Sequence, residues 1–254
     1  MDNGFTFTGE VTAEEKAFYE RNGFIVYRQF VPEGQVAALS SDAEARQQEL
    51  RDGAGLADKD TVAPRSVLPN GDELWHRLNY FTEYSKAADE ISRSERMSSV
   101  YRGLGGPEYW LLRESMHGAI WQVKTGDRAS KYKEIRWHQD FGEGHPLSPA
   151  FTAGLYLHDS NRSNGCLAVI PMSHRWPLRS LPRERYYVEV RAGDLICHHE
   201  RLFHGSEAMR RETDFRATLY FYFCSGEVPE ERRAFASDEE LKSIRNLFTD
   251  GEKA

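Results

Sequence analysis

The stretch Arg136-Trp137-His138-Gln139-Asp140 sets an imidazole and a carboxylate two positions apart. In an extended strand those two side chains share a face, so both can converge on one point. A third donor, His204, lies 66 residues downstream in Leu202-Phe203-His204-Gly205-Ser206, just after an expected strand. Two histidines and one carboxylate form the facial set that holds non-haem Fe(II) and leaves positions open for substrate and O2. His138, Asp140 and His204 are therefore the expected metal ligands. Taken alone, the His-x-Asp spacing also fits a surface histidine beside a solvated aspartate, and the downstream residues decide between the two. Twelve residues past His204, Arg216 opens an apolar, aromatic run at 216–223. A guanidinium there matches a carboxylate in bidentate fashion, as a dicarboxylate cosubstrate would supply. The plainer alternative is an edge-strand arginine in a surface ion pair.

Other candidates compete less well. His198-His199-Glu200 also spells His-x-Glu, but it lies four to six residues from His204, so all three would crowd one strand and its turn. His198 and His199 are read as packing or rim residues. His76, His117, His145, His158 and His174 have no ligand-like spacing and read as structural histidines. Cys197 and Cys224 read as buried small hydrophobes. No nucleophile elbow or Gly-rich phosphate loop occurs.

The elements that must position these residues fall into two textures. Residues 12–22 open on a capping box, Thr12 with Glu15, and end at Gly23, after which 24–27 reads as a strand. A second helix starts at Pro32-Glu33-Gly34 and runs to about residue 50, with Val36, Leu39, Ala43 and Leu50 on one face. Residues 51–71 read as a long surface loop, and 83–104 as helical. From residue 107 onward short β-rich runs appear at 109–112, 118–124, 134–138, 151–157, 166–170, 186–190, 194–198 and 216–223, separated by turn chemistry. Such spacing predicts a double-sheet jelly roll or barrel. Residues 237–248 read as a surface helix. The expected architecture is one domain over 1–254, with a helical part at about 12–104 and a jelly-roll core at about 107–224.

Composition mainly excludes. The chain has 254 residues and a formal charge of −7, so no basic stripe awaits a nucleic acid. No run of ~18 apolar residues spans a bilayer, and residues 1–10 lack the basic and apolar regions of a secretory leader. Three scattered cysteines with no Cys-x-x-Cys exclude a disulfide framework and point to a reducing, cytoplasmic setting.

As a set, these motifs resemble the phytanoyl-CoA dioxygenase (PhyH-like) branch of the Fe(II)/2-oxoglutarate oxygenases. The resemblance rests on His138-Gln139-Asp140, on the run from Ser163-Asn164-Gly165-Cys166 to Pro171 with Ser173-His174, on Gly193-Asp194, on His204-Gly205-Ser206, and on Arg216 with its aromatic strand. It implies a mainly β fold with flanking helices, a double-stranded β-helix (jelly roll, cupin-like). It implies Fe(II), 2-oxoglutarate and O2, with hydroxylation by hydrogen abstraction and hydroxyl rebound. Carried over by position, His138, Asp140 and His204 would ligate iron, and Arg216 would clamp the far carboxylate of 2-oxoglutarate with Ser206 beside it. Gln122 and Lys124 would help hold the keto acid. Because Asp140 is kept, the resemblance implies hydroxylation rather than halogenation. Met172 stands where the family commonly has glycine, which puts the turn after Ile170 in doubt.

The expected partner is a small molecule, with no nucleic acid and no membrane; the oligomeric state is not readable. Acidic residues around the expected mouth, Glu114, Glu134, Glu143 and Asp159, favour a polar amine such as a free amino acid over an acyl-CoA, whose phosphates want a basic rim. Glu114, Glu143 and Trp137 are the candidate substrate contacts. Tailoring of a secondary metabolite is the competing use. A cupin-like module that holds metal without oxidation is the rival from another class, and it has no need of Arg216.

Overall fold

The computed structural model describes residues 4–53, 65–111, 119–130, 132–141, 148–176 and 184–225. Helix α1 (Ala13–Asn22) carries the capping box, with Thr12 and Glu15 satisfying each other's backbone amides, and stops at Gly23 in the left-handed region. Helix α2 (Glu33–Arg51) buries Val36, Leu39, Ala43 and Leu50 as its periodicity predicts. The single helical region expected over 83–104 is three short helices, α3 (Phe81–Tyr84), α4 (Lys86–Arg93) and α5 (Glu95–Leu104). Two serines make the breaks. Ser85 and Ser94 each turn a hydroxyl back to accept from a backbone N–H three residues on, so each caps a new helix.

Fourteen strands follow one another among the described residues: β1 (Gly4–Thr6), β2 (Phe24–Arg28), β3 (Arg65–Val67), β4 (Glu73–Trp75), β5 (Arg77–Leu78), β6 (Trp110–Leu111), β7 (Ala119–Thr125), β8 (Ile135–His138), β9 (Ala150–Tyr156), β10 (Leu167–Val169), β11 (Tyr186–Val188), β12 (Leu195–His199), β13 (His204–Ser206) and β14 (Phe215–Cys224). They build a major sheet in the order β1-β2-β12-β9-β14-β7-β5, with β6 on the end of β14, and a minor sheet β11-β10-β13-β8. The two sheets form the jelly roll. Strands β1, β3, β4 and β5 were not foreseen, and β13 is a strand where His204 was expected to follow one. Strand β3 lies inside the stretch read as a loop and pairs with β4 just beyond it. Residues 54–64 and the helix expected at 237–248 lie outside the described residues. Among the described residues no helix is long and apolar enough to cross a membrane.

Strand alternation divides the major sheet into two unlike faces. One carries Ile25, Tyr27, Trp121, Val123, Phe151, Ala153, Leu155, Leu195, Cys197, Ala217, Leu219, Phe221 and Phe223, and packs on Leu39, Ala43, Met97 and Val100 of the helices. Each such large apolar side chain contributes about 1.5–3 kcal/mol on burial, which makes this face the anchor of the fold. The other face looks toward the minor sheet. Toward the β11 and β10 end the gap is filled by Phe24, Val26, Tyr156, Leu167, Val169, Val188 and Ile196. At the other end polar side chains replace them: Gln122 and Lys124 on β7, Thr152 on β9, His198 on β12, and Arg216, Thr218, Tyr220 and Tyr222 on β14. A sheet that turns such groups inward does so for a site.

The turn after Ile170 forms in spite of Met172. Its residue sits at φ 66°, ψ 0°, and its N–H bonds the carbonyl of Asn22 at 3.0 Å. A left-handed conformation costs a residue with a Cβ about 1–2 kcal/mol, which is why glycine suits this position better.

Candidate metal centre

Strands β8 and β13 pair with His138 directly opposite His204, so register alone brings the two imidazoles side by side, with ring centroids 4.3 Å apart. Each ring is aimed by its own backbone. Nδ1–H of His138 donates to the carbonyl of Arg136 at 2.7 Å, and Nδ1–H of His204 to that of Leu202 at 2.8 Å. That tautomer leaves both Nε2 lone pairs free, the usual way a protein prepares imidazole ligands. Asp140, just past the end of β8, is held by its N–H on the carbonyl of Glu200 at 2.8 Å. Its Oδ1 lies 3.5 Å from His138 Nε2 and 3.6 Å from His204 Nε2. His138, Asp140 and His204 each bring a donor atom within 4.8 Å of the others, a gathering into which one cation fits.

Electrostatics prepares the donors. Burial, with His138 and His198 adding to it, pushes His204 down to about 3, so it is neutral near pH 7. Burial alone would raise the Asp140 carboxyl, but His204, His138 and His198 outweigh it and hold the group well below the usual carboxylate range. For His138 the pull of burial is more than offset by Asp140, and its pKa rises. Two imidazole nitrogens and an ionised carboxylate suit a borderline divalent metal such as Fe(II). His198 was read as a packing or rim residue. It is buried, and it also touches the centre: its Nε2 is 3.1 Å from Asp140 Oδ2, the oxygen that accepts from Thr152 Oγ1 at 2.5 Å. No local spacing marks that contact, because it joins residues 58 apart in the chain.

A second cluster sits one strand step away. His204 and Ser206 are alternate residues of β13, about 6.7 Å apart along the strand, which is the span of a five-carbon diacid. Ser206 Oγ accepts from Lys124 Nζ at 2.5 Å and from Arg216 at 3.3 Å, and donates to the carbonyl of Gly165 at 2.6 Å. Arg216 also donates to Ser160 Oγ at 2.9 Å. Both basic side chains are buried, and among the described residues no carboxylate pairs with Arg216, whose Nε has no partner. A buried guanidinium with no carboxylate beside it is costly, and the neighbouring Lys124 gives up its proton near it, so the arrangement asks for an anion. Gly165 shapes the pocket wall: at φ +68° a Cβ would stand 2.2 Å from the carbonyl oxygen of Glu207 and 2.9 Å from Lys124 Nζ. Gln122 lies two residues from Lys124 on the same face, half-buried beside Thr218.

Burial first, and then Arg216, lower Lys124 from 10.5 to about 6. Between those two values the unfolded chain keeps a proton that the folded chain has lost. This group therefore makes the ligand-free protein more stable as pH rises through that interval. A small dicarboxylate placed against it is expected to restore the proton, so binding at pH 8 takes up close to one proton. Calorimetry in two buffers of different ionisation enthalpy measures the uptake, and a buffer-independent enthalpy would count against it.

The remaining sequence candidates are scattered. Trp137 points to the face opposite His138, where its ring packs on Phe203 at 5.6 Å and under the Arg185 guanidinium at 5.2 Å. Glu114 and Glu143 lie outside the described residues, as do His117 and His145. Glu134 is exposed. Asp159, grouped with the acids of the mouth, instead lines a separate cleft of about 770 Å³ with Gln29, Pro32, Arg96 and Arg191. His76 is tied between Ser66 and Val123, His158 accepts from the Ala217 N–H, and His174 bonds the carbonyl of Glu20.

Comparison with known proteins adds to this geometry. The family model described as phytanoyl-CoA dioxygenase (PhyH) matches residues 19–217. An ectoine dioxygenase of Bordetella bronchiseptica is 26% identical over 191 residues, 71% of this chain and 56% of that protein. The chain thus spans little more than half the length of that relative. A probable phytanoyl-CoA dioxygenase of Caenorhabditis elegans is 24% identical over 254 residues, 88% of this chain and 79% of the other. Among solved structures, EctD from S. alaskensis with 2-oxoglutarate and 5-hydroxyectoine superposes with a TM-score of 0.67 at 23% identity, covering 87% of this chain and 78% of that one. That likeness is one of fold, a jelly roll.

Proposed function

We propose that the chain, which belongs to the phytanoyl-CoA dioxygenase (PhyH) family, is an Fe(II)- and 2-oxoglutarate-dependent hydroxylase of a small polar molecule. The observation that carries this reading is the pair of clusters on β13: a two-histidine, one-carboxylate set, and one strand step away a buried Arg–Lys pair lacking an anion. His138, Asp140 and His204 would hold the iron. When bound, iron with 2-oxoglutarate and O2 supplies the oxidising power, with succinate and CO2 as coproducts.

The chain's own residues do the rest. Arg216 receives the far carboxylate of 2-oxoglutarate and Lys124 adds a second donor, while Ser206, already bonded to both, holds the two cations in register. Gln122 flanks the keto acid from the same face of β7. Tyr220 and Tyr222 are half-buried on the same face of β14 as Arg216 and Thr218. Three free, buried thiols, Cys166, Cys197 and Cys224, support a reducing, cytoplasmic setting.

For the substrate, the ectoine dioxygenases among the relatives support a small amino-acid derivative, and the acidic charge of the chain supports one bearing an amine. Glu114 and Glu143 are the candidates to meet that amine. The test is succinate release with Fe(II), 2-oxoglutarate and O2, screened over free amino acids and cyclic amino-acid derivatives first. At least one compound is expected to raise succinate formation tenfold or more above the substrate-free rate. No succinate above the protein-free control, across the whole screen, would overturn the reading.

A further inference from the structure

The geometry points to His198 as a positioning residue that makes Asp140 a one-oxygen ligand; this rests on the metal site proposed above. The two oxygens of Asp140 live in different surroundings. Oδ1 faces the lone pairs of His138 and His204, at 3.5 and 3.6 Å. Oδ2 is turned to the major sheet, where Thr152 Oγ1 and His198 Nε2 both reach it, at 2.5 and 3.1 Å. An ionised carboxylate only accepts, so His198 must present Nε2–H, and its tautomer follows from this partner. An oxygen already holding two hydrogen bonds has little left for a cation, and only Oδ1 is offered.

The fold backs this arrangement. His198 and Thr152 are register partners on β12 and β9, so two adjacent strands of the rigid major sheet grip one atom. His198 is nearly closed off from solvent, with 4% of its side chain exposed, and its ring lies against that of His204 at 4.4 Å between centroids. It is nevertheless absent from the set of donors that gather within 4.8 Å, which comprises His138, Asp140 and His204 alone among the described residues. The second histidine of the pair, His199, turns to the opposite face and stacks on His174 at 4.9 Å. A carboxylate bound through one oxygen leaves one more coordination position than a bidentate one, and an oxygenase needs those positions for its cosubstrate and O2.

The test is anaerobic titration of the full chain with Co(II), followed by calorimetry and by the visible bands of the bound ion, for His198→Phe, His198→Gln and Thr152→Val. Partners of this kind typically set metal affinity by about 10–100-fold. His198→Phe, which keeps the ring and loses the donor, is expected to weaken Co(II) by that factor and to alter its bands. His198→Gln, whose amide N–H can reach Oδ2, is expected to recover affinity to within about threefold of the unmodified chain. If His198→Phe does not fold, Thr152→Val alone must weaken Co(II) severalfold. Unchanged affinity and bands in His198→Phe, or His198→Gln binding as poorly as His198→Phe, would overturn the role of His198. Absence of Co(II) and Fe(II) binding by the unmodified chain would instead overturn the metal site itself.

Discussion

Asp140→Ala is expected to lower succinate release by at least about a thousandfold while leaving the protein folded. A metal centre stabilises its transition state by several kcal/mol, and each 1.36 kcal/mol lost is tenfold in rate. Alanine removes the only anionic donor of the three, so both the affinity for Fe(II) and its ligand field change together. Folding should survive, because Asp140 is an acceptor at the edge of the inner space rather than part of the apolar face on the helices. Its loss leaves Thr152 Oγ1 and His198 Nε2 without that acceptor, and both can turn toward water in the vacated volume. The measurement is succinate by chromatography at saturating Fe(II), beside a thermal melt of the metal-free protein. Turnover near that of the unmodified chain, without any added carboxylate, would remove Asp140 from the ligand set. A collapsed melt with unchanged metal affinity would assign it to structure.

How much of this was legible beforehand depended on the range of each interaction. Capping residues, strand alternation and the order of short β runs are local, and they sufficed for α1, α2, β7 to β12, β14 and the jelly-roll class. The three candidate ligands were legible as a motif, His138 and Asp140 two residues apart and His204 in a short run after another strand, although Asp140 lies past the end of β8 and is held by the Glu200 carbonyl and not by strand alternation. His198 packs as expected, and its added contact with Asp140 was not foreseen because the two lie 58 residues apart and only the fold brings them together. Trp137 was grouped with the substrate contacts, yet as the neighbour of His138 in β8 it takes the opposite face, against Phe203 and Arg185. The helix broken at Ser85 and Ser94 shows the reverse case, in which a local signal was present and went unread: each serine hydroxyl accepts from a backbone N–H three residues on, which marks a capping position. Short strands such as β1 and β5 exist through the partner they pair with, so three or two residues of sequence could not announce them.

Arg216→Met is expected to raise KM for 2-oxoglutarate by about 100- to 1000-fold, with a much smaller change in kcat. Truncating one partner of a buried, hydrogen-bonded charge pair costs about 2–5 kcal/mol, largely because the other charge is left buried and unpaired. Arg216 would meet the end of the cosubstrate that does not react, so its contribution is the same in ground and transition states. Such uniform binding appears in KM rather than in kcat. The substitution also acts on Lys124. Removing the guanidinium deletes the second cause of that lysine's lowered pKa and leaves burial, the first, in place. The lysine should then titrate above about 6 but still below an ordinary amine, so the pH at which ligand-free stability starts to climb shifts upward in parallel. Arg216→Lys separates charge from shape: a single ammonium restores the sign but not the fork that bonds Ser160 and a carboxylate together. Its KM should fall between those of the unmodified chain and Arg216→Met. Initial-rate kinetics over 2-oxoglutarate concentration decides the matter. A KM within threefold of the unmodified chain in Arg216→Met would mean that the far carboxylate of 2-oxoglutarate is bound some other way.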